Sequence, residues 1–209
     1  MSINEAVIKK LVTGLVLESK KLQDPICEPC LAGKMHTNPF STSYHCTSAP
    51  LELVHSDVHN VNHHTFMGYR YWVMFINDYS RYRFVFPIRK KSEVLQTFKN
   101  FEVYAKNQSG HHIETLHDDK GSEYVSNELE QFAKSCRITW QHTVQNFPLQ
   151  NGIGERANWS ISERITAMLD EAGLPKIFWG ECLAALVHIW NRCPTKTMGG
   201  TTPYQLWHR

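Results

Sequence analysis

The feature that most constrains the fold is an almost unbroken run of apolar and aromatic residues from 69 to 76. Such a run is typical of a central strand that is covered on both of its faces. Strand-like segments also lie before and after it, at 51–58 and 83–88, and Pro87 indicates that the later one is an edge strand or contains a bulge. Connections of about ten and about six residues suit antiparallel hairpins. The sequence therefore predicts three consecutive antiparallel strands.

The rest of the chain alternates between helical and strand-like periodicity. Helices are predicted over 92–107 and 127–136, and a strand is predicted after each of them, over 113–117 and 138–144. Two further helices follow, one beginning near Gly152 and one covering 177–192. The order βββαβαβ with two added helices predicts an α/β fold, in which a mixed five-stranded sheet is flanked by helices.

Length and composition indicate one globular domain with a short appendage, since the chain has 209 residues, of which 42% are hydrophobic and 20% charged. There is no run of about 18 apolar residues and no secretory signal pattern, so we expect an intracellular protein that does not enter a membrane. The net charge of +2 does not by itself indicate nucleic-acid binding. A cluster of basic residues predicts either a solvated face or a DNA contact, and consists of Arg81, Arg83, Arg89, Lys90 and Lys91.

The N-terminal part is predicted to be a separate segment. Residues 1–36 predict a helix followed by a partial zinc-finger-like segment, in which Cys27 and Cys30 form a Cys-x-x-Cys pair. This pair supplies half of a zinc site, because structural zinc takes four ligands. The alternative is that both cysteines are free. Residues 37–49 are polar and are interpreted as a linker, so the main domain is expected at 50–209.

Three carboxylates lie where predicted strands and helices begin or end. Asp57 lies at the end of the first strand, Asp119 follows the fourth, and Glu155 lies in the first turn of the helix that begins near Gly152. Carboxylates from separate elements can bind Mg²⁺, and a pair of such ions supports phosphoryl transfer. Each acid also has an ordinary explanation, as a turn or cap residue or as an acid favoured by the helix dipole. Asp118 competes with Asp119 for the second position and would otherwise be a solvated neighbour.

Several motifs occur in a fixed order over about residues 20 to 209. They are Cys27–Lys34, Pro50–Val58, Asp78–Arg81, Asp119–Tyr124, Gln150–Asn158, Gly173–Trp179 and Thr202–Trp207. In these motifs the chain resembles the integrase region of copia-type LTR retrotransposon polyproteins, part of the retroviral integrase and transposase superfamily. The resemblance implies a ribonuclease H-like fold, and its Asp-x-Gly-x-Glu-Tyr pattern favours Asp119 over Asp118.

The resemblance also implies a chemistry and a set of partners. Asp57, Asp119 and Glu155 are expected to bind two Mg²⁺ or Mn²⁺ ions and to catalyse 3′-end processing and strand transfer. Residues beside the third acid are expected either to contact nucleic acid or to cap the loop and helix: Gln150, Asn151, Arg156 and Asn158. The expected partners are double-stranded DNA and further copies of the chain, as a homo-oligomer on DNA. The expected location is the nucleus, for integration, or a cytoplasmic particle.

Departures from the family pattern bear on activity. Between His117 and Gly121, Lys120 stands where relatives have asparagine, which places a positive charge beside a metal-binding aspartate. Trp159 stands where a basic residue is common. The family has a histidine pair upstream of the cysteines, but no histidine precedes Cys27 here, so we expect a truncated finger. The alternative function is therefore a catalytically decayed, non-enzymatic nucleic-acid-binding relic of the same fold.

Overall fold

A computed structural model describes residues 47–118, 127–142, 152–195 and 198–209. These residues contain a five-stranded sheet. Its strands are β1 (Leu53–Asn60), β2 (Tyr71–Asn77), β3 (Arg83–Ile88), β4 (Thr115–Asp118) and β5 (Thr139–His142). The predicted segment 1–36, with Cys27 and Cys30, lies outside the described residues, as does most of the predicted linker.

The sheet is mixed, and its strands are ordered β3-β2-β1-β4-β5. Neighbours β1–β2 and β2–β3 are antiparallel, whereas β1–β4 and β4–β5 are parallel. The central strand β1 pairs with β2 as far as Asn60, opposite Tyr71. Its described pairs with β4 end earlier, at His55 opposite His117. The predicted mixed five-stranded fold is confirmed, and β3 is the edge strand that Pro87 indicates.

Helices pack on both faces of this sheet. They are α1 (Val94–Ser109), α2 (Asn127–Ser135), α3 (Gly152–Glu171), α4 (Trp179–Arg192) and α5 (Pro203–Trp207). The alternation of side chains along β2 divides the core into two clusters. Val73 and Phe75 lie in the cluster that contains α1, where the rings of Phe75 and Phe101 stack with centroids 4.3 Å apart. Trp72, Met74 and Ile76 lie in the other cluster, with α3 and α4.

Several bounds shift by one or two residues from the predicted ranges, and two differences have a clear structural reason. The first strand is predicted to end at residue 58, but β1 continues to Asn60 because its last residues keep their pairing with β2. The short helix α5 is not among the predicted helices. It begins after Thr202, whose Oγ1 accepts a hydrogen bond from the backbone of Gln205 at 3.1 Å, and it has Pro203 in its first turn. Within the described parts of the chain, no helix has both the length and the apolar character needed to span a membrane.

Candidate active site

Asp57 lies in the interior of β1 rather than at its end. It is two residues beyond the last described parallel pair of β1 and β4. In open sheets with parallel strands, ligands bind beyond the carboxyl ends of those strands. The side chain is 7% exposed, and it lines a groove of about 580 Å³ between the sheet and α3. Asp57 is therefore at the position in the fold where a ligand site is expected.

A chain of hydrogen bonds holds the Asp57 carboxylate. Asn158 on α3 donates from Nδ2 to Asp57 Oδ2 at 2.8 Å, and the backbone amide of Val58 donates to Oδ1 at 2.8 Å. Trp72 on β2 donates from Nε1 to Asn158 Oδ1 at 2.6 Å. Both polar ends of the Asn158 amide are thus used, one by the carboxylate and one by the indole. Because Trp72 and Asn158 are buried, these bonds fix the orientation of the carboxylate.

Glu155 lies in the first turn of α3 and is exposed to solvent. It precedes Asn158 by three residues, so the two side chains are neighbours on the helix surface. It is outside the apolar stripe of α3, which is made of Ala157, Ile161, Ile165 and Leu169. Glu155 and Asp57 line the same groove. The structure therefore brings two of the three predicted carboxylates to one concave surface.

The remaining groove residues come from β1 and from the outer side of α3. His59 on β1 stacks on Trp72 with ring centroids 4.3 Å apart, and burial lowers the pKa of His59. The α3 residues along the groove are Trp159, Ser162, Glu163, Thr166, Ala167 and Asp170. The side chains of the groove are thus mainly acidic, hydroxyl and aromatic.

Asp118 is fully buried, which contradicts the prediction that it is a solvated neighbour. It ends β4, and its carboxylate is bonded to two side chains of the adjacent strand β5. His142 Nδ1 lies 2.8 Å from Oδ1, and Trp140 donates from Nε1 to Oδ2. Asp118 therefore ties β4 to β5. Asp119, the predicted second carboxylate, lies outside the described residues.

A buried polar layer lies next to Asp57 along the sheet. His55 Nε2 is 3.1 Å from Asp78 Oδ1, and the Arg81 guanidinium approaches the same oxygen at 2.8 Å. Burial alone would raise the pKa of Asp78, but the hydrogen bond from His55 and the charge of Arg81 hold it below its usual value. The ring of His117 contacts that of His55 edge-on at 5.6 Å, and burial lowers the pKa of His117. This layer supports the strand that carries Asp57.

Of the four residues predicted to contact nucleic acid, the structure describes two. Gln150 and Asn151 lie outside the described residues, and Arg156 is exposed on α3. Asn158 is 3% exposed and bonded on both sides, so its amide is turned into the protein rather than toward a nucleic acid. The periodicity of α3 could have indicated this, because residue 158 lies four positions after the buried Gly154 and three before Ile161.

Sequence analysis missed the role of Trp72, which lies in the strand predicted only as core. A run of apolar residues does not show which tryptophan donates a hydrogen bond to a side chain of another element and which one only packs. The indole N–H does give a general signal, because a buried tryptophan usually has a hydrogen-bond partner. A partner from another element, 86 positions away in the sequence, cannot be identified from that signal.

Three of the five residues in the basic cluster make contacts within the protein. Arg81 pairs with Asp78. Arg83 packs over the Trp190 ring at 4.7 Å, and burial lowers its pKa to about 10. Arg89 donates to the backbone oxygen of Met67 at 2.9 Å. Part of the predicted cluster is therefore structural.

Residues 47–147 match the family described as Integrase core domain. The chain is 36% identical over 182 residues, 87% of its length, to a retrovirus-related Pol polyprotein from transposon TNT 1-94 of Nicotiana tabacum. It is 34% identical over 205 residues, 98% of its length, to that from transposon RE2 of Arabidopsis thaliana. The chain covers 14% of each polyprotein.

Solved structures show the same fold at low sequence identity. A chain of a simian T-cell lymphotropic virus intasome, in complex with a PP2A regulatory subunit, aligns with a TM-score of 0.64 and 16% identity, over 84% of this chain and 60% of that one. The HTLV-2 integrase catalytic core domain, in complex with magnesium and in dimeric form, aligns with a TM-score of 0.55 and 18% identity, over 77% of this chain and 99% of that one. The chain thus belongs to the integrase core family and resembles its copia-type retrotransposon members.

Proposed function

We propose that this chain is the catalytic core of a retrotransposon integrase, which processes 3′ ends and joins DNA strands at a site made by Asp57, Asp119 and Glu155. One observation carries the proposal: Asp57 and Glu155 line one groove. The parallel register supports the second carboxylate. His55 and His117 are paired, and Asp57 and Asp119 each follow two residues later in the sequence.

The donor chemistry of this groove fits a hard divalent cation. Both described acids offer carboxylate oxygens, which Mg²⁺ and Mn²⁺ prefer. Among the residues that the structure describes, no three His, Cys, Asp or Glu side chains are grouped to hold a metal, and the proposed third ligand lies outside them. When bound, the metal would activate the attacking oxygen and stabilise the leaving oxygen in phosphoryl transfer.

The contribution of the protein itself is to hold these carboxylates in fixed positions. Asn158 and Trp72 hold Asp57 by hydrogen bonds across the interface between sheet and helix. The same helix carries Glu155, so α3 positions both acids at once. Groups that orient metal ligands typically matter about 10- to 100-fold for metal affinity or activity. Catalysis would then depend on fixed geometry rather than on a covalent intermediate with the enzyme.

The proposed partners are double-stranded DNA, as element ends and target, and further copies of the chain. The non-enzymatic alternative assigns DNA binding to the basic cluster. Arg81 and Arg83 do not favour it, because each is engaged inside the protein. If the relic alternative is nevertheless correct, the wild type will bind DNA without cutting it, and Lys120→Asn will restore cleavage.

The test is Mn²⁺-dependent nicking and strand transfer on a labelled oligonucleotide duplex, with Glu155→Gln as the inactive variant. Glu171→Gln is the matched control, because it makes the same change at the exposed far end of the same helix. We expect activity in the wild type and in Glu171→Gln, and loss of at least about 100-fold in Glu155→Gln. A folded wild type that binds DNA without cutting it, or activity that survives in Glu155→Gln, would exclude the proposal.

A further inference from the structure

The groove contains an exposed aromatic side chain that the proposed metal chemistry does not use. Trp159 is 57% exposed and lies four residues after Glu155 on α3, on the same side of the helix. It lines the groove together with Asp57 and Glu155. A large apolar ring that stays in solvent beside two carboxylates gains nothing from packing inside this domain. Its position therefore points to a ligand that enters the groove.

Trp159 is held in one orientation. Its Nε1 donates to Glu163 Oε1 at 2.6 Å, between residues one turn apart on the helix. This bond uses the polar atom of the indole, so the ring offers its apolar surface to a ligand. A fixed ring loses little rotamer freedom when something stacks on it, which favours binding.

The charges around Trp159 select the part of a nucleic acid that can lie on it. Glu163 and Asp170, which the proposed metal site does not use, also line the groove, and their carboxylates repel phosphate groups. A nucleobase carries no charge, and each base has a face that stacks on aromatic side chains. Bases inside a duplex are already stacked on both faces, and a base of the terminal pair is held in place by its partner, whereas a base that has left its pair can turn into the groove and stack on the ring.

We propose that Trp159 is a stacking platform for an unpaired base at the end of the DNA substrate, and that it gives the groove a preference for frayed ends over fully paired ends. This inference rests on the proposed function, since it assigns a substrate feature to the same groove.

The test measures binding rather than cleavage, with metal removed by EDTA and at low ionic strength. Two labelled duplexes of equal length are compared, one fully paired and one whose two terminal pairs are mismatched. We expect the wild type to bind the mismatched end about tenfold more tightly, because stacking of one base on an aromatic side chain increases affinity by about this factor. Trp159→Ala should abolish this preference, while Trp159→Phe should keep most of it because it retains an aromatic face.

Tyr104→Ala is the matched control, because Tyr104 is also an exposed aromatic, 47% exposed, but lies on α1 outside the groove. It should keep the preference. A second readout is direct: the fluorescence of 2-aminopurine, placed at the unpaired 3′ end, should be quenched by the wild type and not by Trp159→Ala. Thermal unfolding of each variant verifies that the fold is retained.

The outcomes separate this inference from the proposed function. A wild type without preference for frayed ends, or a preference that survives in folded Trp159→Ala, overturns the inference even if cleavage depends on Glu155. If the preference for frayed ends and the quenching of 2-aminopurine both depend on Trp159, but the protein does not cleave DNA, stacking is upheld and the proposed enzymatic function is excluded.

Discussion

The orientation of Asp57 depends on a side chain from a different element. Asn158 bonds the carboxylate and is itself bonded by Trp72. Asn158→Ala should therefore lower nicking by about 10- to 100-fold and raise the Mn²⁺ concentration that gives half-maximal rate. Trp72→Phe keeps Asn158 itself and removes the indole N–H together with part of a buried ring; it should move both quantities in the same direction by less.

The metal titration separates this role from simple destabilisation. Both variants leave a buried group without its partner, which costs about 1–3 kcal/mol in the free energy of unfolding. A loss of stability alone would lower the amount of active protein and leave the half-maximal Mn²⁺ concentration unchanged. That result in folded Asn158→Ala would contradict the positioning role.

Asp78 provides a pH-dependent contribution to stability. Its folded-state pKa is below the ordinary value of 3.8, despite burial, because of His55 and Arg81. A lowered carboxyl pKa stabilises the fold above about pH 4, and this contribution is lost as the pH falls through the folded-state pKa. Asp78→Asn should cost about 3 kcal/mol at neutral pH, since it leaves the Arg81 guanidinium without its buried carboxylate and removes the carboxylate acceptor of His55.

The pH dependence is checked with urea unfolding of the wild type and of Asp78→Asn between pH 7 and strongly acidic pH. The difference in unfolding free energy should be constant near neutrality and should shrink below about pH 4. A difference that does not change across the whole range would show that ionised Asp78 does not stabilise this layer.

The sequence indicated which acids are candidates for the site, but it did not indicate the surroundings of each acid in the fold. Asp118 and Asp119 are adjacent acids at a strand end, and the family pattern favours the second without showing what the first does. Asp118 is bonded to Trp140 and His142. Those partners belong to β5, and only the parallel register of β4 with β5 brings them together. Local sequence contains no information on such cross-strand partners.

At the scale of elements, α3 joins the core to the site. Its inner stripe packs against Trp72 and Met74 of β2, while its first turn carries Glu155. The buried residues of this stripe recur at helical spacing, the pattern by which one apolar face of a helix can be recognised in a sequence. The helix α5 was not predicted, because its five residues are too few to show a helical repeat of apolar side chains. Its Thr202-x-x-Gln205 capping box was the available signal.

The packing of α3 can be tested with two identical truncations. Ile161 on α3 is fully buried, whereas Ile189 on α4 is 39% exposed. Ile161→Ala should lower the free energy of unfolding by about 2–5 kcal/mol, because it removes buried methyl groups and leaves a cavity. Ile189→Ala removes the same atoms from a half-solvated position and should cost less than about 1 kcal/mol. Equal losses in chemical denaturation would contradict the assignment of the inner face of α3.

For the whole molecule, the order of strands and helices in the sequence was sufficient to predict the mixed sheet. Three hairpin-linked strands followed by two strand–helix units leave few topologies, because crossovers between parallel strands are right-handed and connections stay short. The arrangement of the groove was not predictable in the same way. It requires the contact between α3 and β1, which joins residues 101 positions apart in the bond from Asn158 to Asp57.

We propose that three carboxylates of this fold form a metal-dependent strand-transfer site. A strand-transfer assay in Mn²⁺ that compares the wild type with Asp119→Asn and Asp118→Asn tests this most directly. We expect Asp119→Asn to be folded and inactive. Asp118→Asn should lose stability, because its buried bonds to β5 are weakened, but should retain strand transfer below its unfolding temperature. Activity that survives in Asp119→Asn, or that disappears only in folded Asp118→Asn, would contradict the assignment.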